Sequence, residues 1–241
     1  LIAKYFKSDQ YQALASKKTY LLYAKTIENT QLKNGKIFGQ VRIDAIKTPV
    51  IRKYLDGRTA KVNGNREIQF LSSVFSWAYE RGHCKMNPCK GVRLNKEVAR
   101  TRLIEHWEYD LVYQIALDMN SIFAPAMEIA FLCRARRGEV FSLTRSDIKE
   151  DGLYINRTKG SIAEITLWND RLRNAVTLAK SHNKDTLSQY LIHRKDGRAY
   201  PKNALDSAWQ RVIKKALNNG LKEKFTYHDI KAAGISYHKD H

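Results

Sequence analysis

The chain has 241 residues, enough for one large domain or two ordinary ones, and a 43% hydrophobic share at a mean hydropathy of −0.52 allows a buried core while arguing against a membrane protein. No apolar run reaches the length of a membrane span, and no signal-peptide pattern follows Leu1, a first residue that points to trimming. Lys and Arg outnumber Asp and Glu 43 to 24, a formal net charge of +19, and such an excess calls for a polyanion, nucleic acid being the usual one.

The excess is uneven. Residues 1–100 hold 20 basic and 7 acidic side chains, a net of +13, and residues 101–241 hold 23 and 17, a net of +6. The basic residues are dispersed among apolar helical stretches rather than gathered in a tail, which favours a folded DNA- or RNA-binding surface over a disordered arm. A ribosomal or membrane-surface role would carry similar charge. The three cysteines, Cys84, Cys89 and Cys133, stand at no disulfide-scaffold spacing and fit a reducing, cytoplasmic setting.

Residues 1–90 read as a small helical bundle. Leu21, Leu22, Ala24, Ile27 and Leu32 follow helical spacing only loosely. A short helix after Pro49 ends near Gly57. The clearest helix covers Asn65 to Arg81, with Ile68, Leu71, Val74, Phe75, Ala78 and Tyr79 in one stripe. Residues 91–102, GVRLNKEVARTR, lack a stripe and read as a linker to a second domain over 103–241. There, helices are predicted for 104–117 and for a run ending at Cys133, with Pro125 tolerable only in a first turn. LYINRTK and IAEITLW around Gly160-Ser161 predict a β-hairpin. A helix over 170–180, a short strand in YLIHRK, a helix over 203–218 stopped by Gly220, and a helix opening near Thr226 complete the chain. The fold class is mostly α with a small antiparallel sheet (α+β).

Three stretches of the second half collect cations. In CRARRGEVFSL, Arg134, Arg136 and Arg137 crowd a turn before a new helix, and arginine forks beside a helix N-terminus suit an anion. Glu139, three residues after Arg136, is placed to hold one guanidinium. Lys159 sits at the hairpin tip, where a lysine serves as a movable charge or proton donor. In FTYHDIK, Thr226 caps a helix with Asp229 three residues on, and His228 and Lys231 share a face. A solvated basic turn, an exposed turn lysine and a chance cation pair are the bland readings of each stretch alone.

Together the three resemble tyrosine recombinases of the phage-integrase type, whose signature is an arginine in TGxRxxE, a lysine on a β-hairpin, and HxxR opening a late helix. RRGEVFSLTRSDI is similar to the family pattern RRGELLALRWSDI, and AYERGHCKMNPCKGV looks like the close of the family's helical core-DNA-binding domain. The resemblance implies a site-specific recombinase or integrase that cuts and rejoins strands through a 3′-phosphotyrosine, with no metal and no cofactor. In it, Arg136 and Lys231 bind the scissile phosphate, Lys159 protonates the leaving oxygen, and His228 contacts the phosphate and handles a proton. It further implies double-stranded DNA as partner, dimers or tetramers in synapsis, accessory DNA-bending proteins, no membrane, and the cytoplasm of a bacterial or phage-infected cell.

Three departures stand out. Lys231 replaces the arginine of HxxR, keeping charge without the bidentate fork. Arg134 replaces the glycine of TGxRxxE. The family's nucleophilic tyrosine lies well downstream of HxxR, and Tyr237, nine residues past His228, is too close for that layout, so the nucleophile is not expected in this chain. Tyr227 adjoins the motif, and His238 and His241 read as surface residues rather than the missing histidine. His83, Cys84 and Cys89 offer poor zinc spacing and read as a bundle-end loop. A non-cleaving DNA-binding protein of the same fold and a type IB topoisomerase-like enzyme stay open as alternatives.

Overall fold

The computed structural model describes residues 1–32, 35–98, 102–157 and 162–237. The chain divides into two compact units, Leu1–Ala99 and Arg100–His241.

The first unit is helical: α1 Ile2–Tyr5, α2 Asp9–Gln12, α3 Lys17–Asn29, α4 Thr48–Gly57 and α5 Lys61–Glu80. Pro49 lies in the first turn of α4, where its missing N–H costs nothing. Helix α5 starts four residues before the hydrophobic stripe suggests, because two polar residues are buried in its first half and satisfied there. Glu67, 2% exposed, accepts the Tyr54 hydroxyl at 2.7 Å and two N–H groups of Arg58 at 2.8 Å each. Asn65 anchors the following chain: its amide donates to the Asn95 carbonyl and accepts the Asn95 N–H, both at 2.9 Å. Residues 93–97 of the polar stretch read as linker are therefore held on the first unit, with Arg66 bonded to Glu97 and Arg52 to the Arg93 carbonyl. The stripe is corrected at Tyr79, which is 57% exposed, and in α3 only Ala24 and Ile27 are buried. Aromatic rings of Tyr5, Phe6, Tyr11, Tyr20 and Phe70 fill the space between α5 and the N-terminal helices.

The second unit is built around α7, Phe123–Leu132, all ten of whose residues are buried. Helices α6 His106–Asp118, α8 Arg137–Phe141, α9 Asp170–Ser181 and α11 Tyr227–Tyr237 surround it, and α10 Lys202–Asn218 packs against α6. Pro125 is the third residue of α7, inside the first turn, as its lack of an N–H requires. One charged group enters this apolar helix: Glu128 is matched by the Tyr109 hydroxyl and the Arg171 guanidinium. The hairpin is present as β1 Gly152–Ile155 and β2 Glu164–Leu167, antiparallel, with Ile155 opposite Glu164. Its tip, with Lys159, lies outside the described residues. The strand expected in YLIHRK is not formed. Tyr190 makes an isolated bridge to Thr144, flanked by the Leu191 N–H donating to the Leu143 carbonyl and the Arg145 N–H donating to that of Gln189, and Leu191 and Ile192 are buried as irregular chain. Two apolar residues there fill the core without a strand.

Candidate active site

The turn after α7 is a Schellman motif. The Ala135 N–H reaches back to the Ala130 carbonyl at 3.0 Å and the Arg134 N–H to that of Phe131 at 3.3 Å. The motif needs a left-handed residue just past the helix, usually glycine, and Arg134 occupies it at φ 50°. A Cβ there costs on the order of 1 kcal/mol, which the surroundings must offset.

They do so through Arg157, at the exit of β1. Its side chain is 6% exposed, and its guanidinium donates to the carbonyls of Cys133 at 2.7 Å and Arg134 at 2.9 Å. A cation at a helix C-terminus also meets the negative end of the helix dipole. The same guanidinium pairs with Glu164 of β2 and with Glu139 at 3.4 Å. Arg134 turns its own side chain toward Glu164, at 3.4 Å.

Arg136 follows as the N-cap of α8. Glu139 accepts its backbone N–H and its guanidinium, both at 2.8 Å. The Glu139 side chain is 0% exposed and that of Arg136 29%, so a buried carboxylate holds a cation that still reaches solvent. The three arginines of the turn thus go three ways, with Arg137 bonded to Asp206 of α10 at 2.7 Å.

Helix α11 supplies the opposite wall. Asp229 accepts the Thr226 N–H at 2.7 Å and caps it. Gly234 lies against the end of α7 so closely that a Cβ there would stand 2.2 Å from the Phe131 carbonyl oxygen. His228, exposed, lines a groove of about 720 Å³ together with Arg136, Arg137, Gln210 and Lys224. Lys231, half-buried, is not part of that lining. Its ammonium interacts with Arg136, Glu139, Arg157 and Glu164. Burial, then the like charge of Arg136, lowers its pKa below the usual lysine value, while Glu139 opposes the shift. Arg136 is accordingly common to the His228 groove and the Lys231 cluster.

Of the residues the sequence marks, Arg136, Glu139, His228 and Lys231 come together, and Lys159 falls outside the described residues. Arg157 and Glu164 escaped sequence reasoning, although opposite charges flanking a hairpin turn are a cross-strand signal. The two tyrosines nearest the motif have their hydroxyls occupied. Tyr227 is buried and donates to the Ala126 carbonyl, and Tyr237 donates to that of Ile104 at 3.0 Å. In the first unit, Cys89 is buried with its thiol pushed up to about 12 by desolvation, and Cys84 faces the Phe75 carbonyl at 3.7 Å. Among the described residues no three His, Cys, Asp or Glu side chains converge as a metal site, and no helix is long and apolar enough to cross a membrane.

No family model matches the sequence. It is 34% identical over 93 residues to the integrase of Enterobacteria phage 434, covering 38% of this chain and 26% of that protein. It is 28% identical over 158 residues to the integrase of Escherichia phage HK022, covering 63% of this chain and 43% of that protein. The matched stretches thus span less than half of either relative. Among solved structures, a λ integrase dimer bound to a COC′ core site superposes with a TM-score of 0.79 at 21% identity, covering 99% of this chain and 69% of that one. A λ integrase tetramer on a Holliday junction gives 0.74 at 18%, with coverages of 99% and 69%. The Tn1549 transposon integrase with circular intermediate DNA gives 0.72 at 14%, with 99% and 85%. At such identities the likeness to these structures is one of fold: a helical unit followed by a mostly helical unit with a small antiparallel sheet.

Proposed function

We propose, for a chain that belongs to the tyrosine recombinase (phage integrase) family, the function of a site-specific DNA recombinase that cuts and rejoins strands through a 3′-phosphotyrosine. The observation that carries this reading is that Arg136, held by the buried carboxylate Glu139, lines one groove with His228 and interacts electrostatically with Lys231. Arg136 and Lys231 take the non-bridging oxygens of the scissile phosphate and stabilise the charge that grows in the pentacoordinate state. Preorganisation supports this: Glu139 fixes Arg136 before DNA arrives, so little rearrangement is needed during reaction. His228, exposed on the first turn of α11, contacts the phosphate and handles a proton. Lys159 is proposed as the proton donor to the leaving oxygen. The attacking tyrosine comes from neither Tyr227 nor Tyr237, both of whose hydroxyls are engaged by backbone carbonyls.

Duplex DNA is the proposed partner, with dimers and tetramers as in the λ integrase assemblies on a core site and a Holliday junction. Accessory DNA-bending proteins and a cytoplasmic setting belong to the same proposal. The net charge of +19 fits, and affinity is expected to fall log-linearly with salt.

The test is a nicked duplex carrying the recognition site, incubated with the protein in its natural flanking sequence. A covalent protein–DNA adduct on a denaturing gel is expected. Arg136→Ala should abolish the adduct and keep most of the binding. Tight binding with no adduct from the unaltered protein would replace this reading with that of a non-cleaving DNA-binding module.

A further inference from the structure

We propose that Arg157 is a positioning residue for Arg136, a buried strut that takes over at this turn what a glycine does in TGxRxxE. The inference rests on the reading of Arg136 as a phosphate ligand. Its basis is what the Arg157 guanidinium touches. Two of its acceptors are the carbonyls of Cys133 and Arg134, the residues that carry the chain from α7 into Arg136. A third is Glu139, the carboxylate that holds the Arg136 side chain and backbone. The fourth, Glu164, lies across the hairpin from Ile155 and also receives Arg134. These four contacts lead to the turn, to its clamp, or to the hairpin that flanks it.

The alternative role, a further cation offered to the phosphate, does not suit a side chain 6% exposed with both terminal nitrogens engaged. Nor is the arrangement explained by charge balance alone. Lysine would neutralise a carboxylate equally well, but only a planar fork spans two carbonyls and two carboxylates at once. The left-handed Arg134 gives the strut its purpose. A non-glycine residue at that position relaxes toward other backbone angles unless its carbonyl and side chain are both held, and Arg157 with Glu164 holds both. Relaxation there would swing Arg136, two residues on.

The experiment uses the full 241-residue chain and inorganic sulfate, a tetrahedral dianion whose charge stays constant from neutral to alkaline pH. Binding is read from the Arg136 Nε–H resonance in an NMR titration, with Arg136→Ala as the control that removes the signal. Arg157→Met is expected to weaken sulfate binding on the order of tenfold, the effect of displacing a charged ligand group. It should also move the alkaline limb of binding to higher pH, because a cation beside Lys231 is gone. Mere loosening of the fold would also expose Lys231 and move that limb, so the readout that separates the two is rescue by glycine at the turn. Arg134→Gly added to Arg157→Met should recover much of the loss, since glycine holds the left-handed turn unaided. If Arg157→Met does not fold, Arg157→Lys decides, with a severalfold loss expected from the missing fork. Sulfate affinity and alkaline limb equal to the unaltered chain in a folded Arg157 variant would overturn the strut. Absence of sulfate binding in the unaltered chain would instead overturn the phosphate reading of Arg136, and the strut with it, before any Arg157 variant is made.

Discussion

Arg136 is bound to Glu139 twice, through its guanidinium and through its own backbone N–H, and the carboxylate that does this is sealed from solvent. One side chain therefore fixes where the helix α8 begins and where its cation points. Removing the carboxylate should unsettle both, because Arg157, buried beside it, would also lose a partner.

Glu139→Ala is expected to destabilise the second unit by about 3–5 kcal/mol, the usual cost of breaking a buried ion pair from one side. Glu139→Gln, which still accepts the backbone N–H, should cost visibly less. Urea denaturation of the chain measures both, and equal losses would mean that the charge of Glu139 accounts for the whole effect and its acceptor oxygen for none.

Gly234→Ala should act at a distance on the site. The new methyl would press on the Phe131 carbonyl, so α11 must shift and carry His228 and Lys231 with it. A loss of about 1–3 kcal/mol in stability is expected, as for overpacking elsewhere, together with weaker DNA binding. Ala232→Ser, exposed on the same helix, is the control that should leave both unchanged.

With Lys231 proposed as a phosphate ligand, anion binding is expected to be sensitive to alkaline pH. Burial and Arg136 lower the Lys231 pKa in the folded chain, so the folded state holds fewer protons than the unfolded one between that value and the ordinary lysine range. In this window fold stability rises with pH, while anion binding falls as the ammonium loses its proton. A bound phosphate draws the proton back. DNA affinity measured at fixed salt should therefore decline through this window, and Lys231→Arg should flatten the decline. An unchanged profile in Lys231→Arg would exclude Lys231 as its source.

The buried Glu128 supports the same core from the other side. Arg171 reaches it at 2.7 Å while lying 5.1 Å above the Phe131 ring, and Tyr109 supplies a hydroxyl. Tyr109→Phe should cost about 1–2 kcal/mol for one hydrogen bond to a charge. Arg171→Ala should cost more, about 3 kcal/mol, because it leaves the carboxylate without its cation. The order of the two melting temperatures checks the assignment.

The helices were legible wherever apolar spacing dominated, as in α5 and α10, and so were the hairpin and the cap at Asp229. What stayed hidden has a common physical origin. Glu67, Asn65 and Glu128 are polar residues inside buried faces, and their partners lie outside the local window that periodicity reads. YLIHRK has a strand's composition, but its core role needs two apolar side chains and a single bridge, which no local pattern distinguishes from a strand. At the site, Arg136, Glu139, His228 and Lys231 carried motif spacing. Arg157 carried none, since its meaning depends on the left-handed backbone of Arg134 in another element.

Tyr227 stands next to His228 in the chain, yet its phenol faces inward to the Ala126 carbonyl, and burial raises its pKa well above the usual value. The phenol next in the chain to His228 is thereby turned into the core. A buried phenol bonded to a backbone carbonyl is not presented to a phosphorus atom. Peptide mapping of any DNA ester formed by this protein should therefore find Tyr227 unmodified, and nitration of the native fold should label exposed Tyr79 while sparing it.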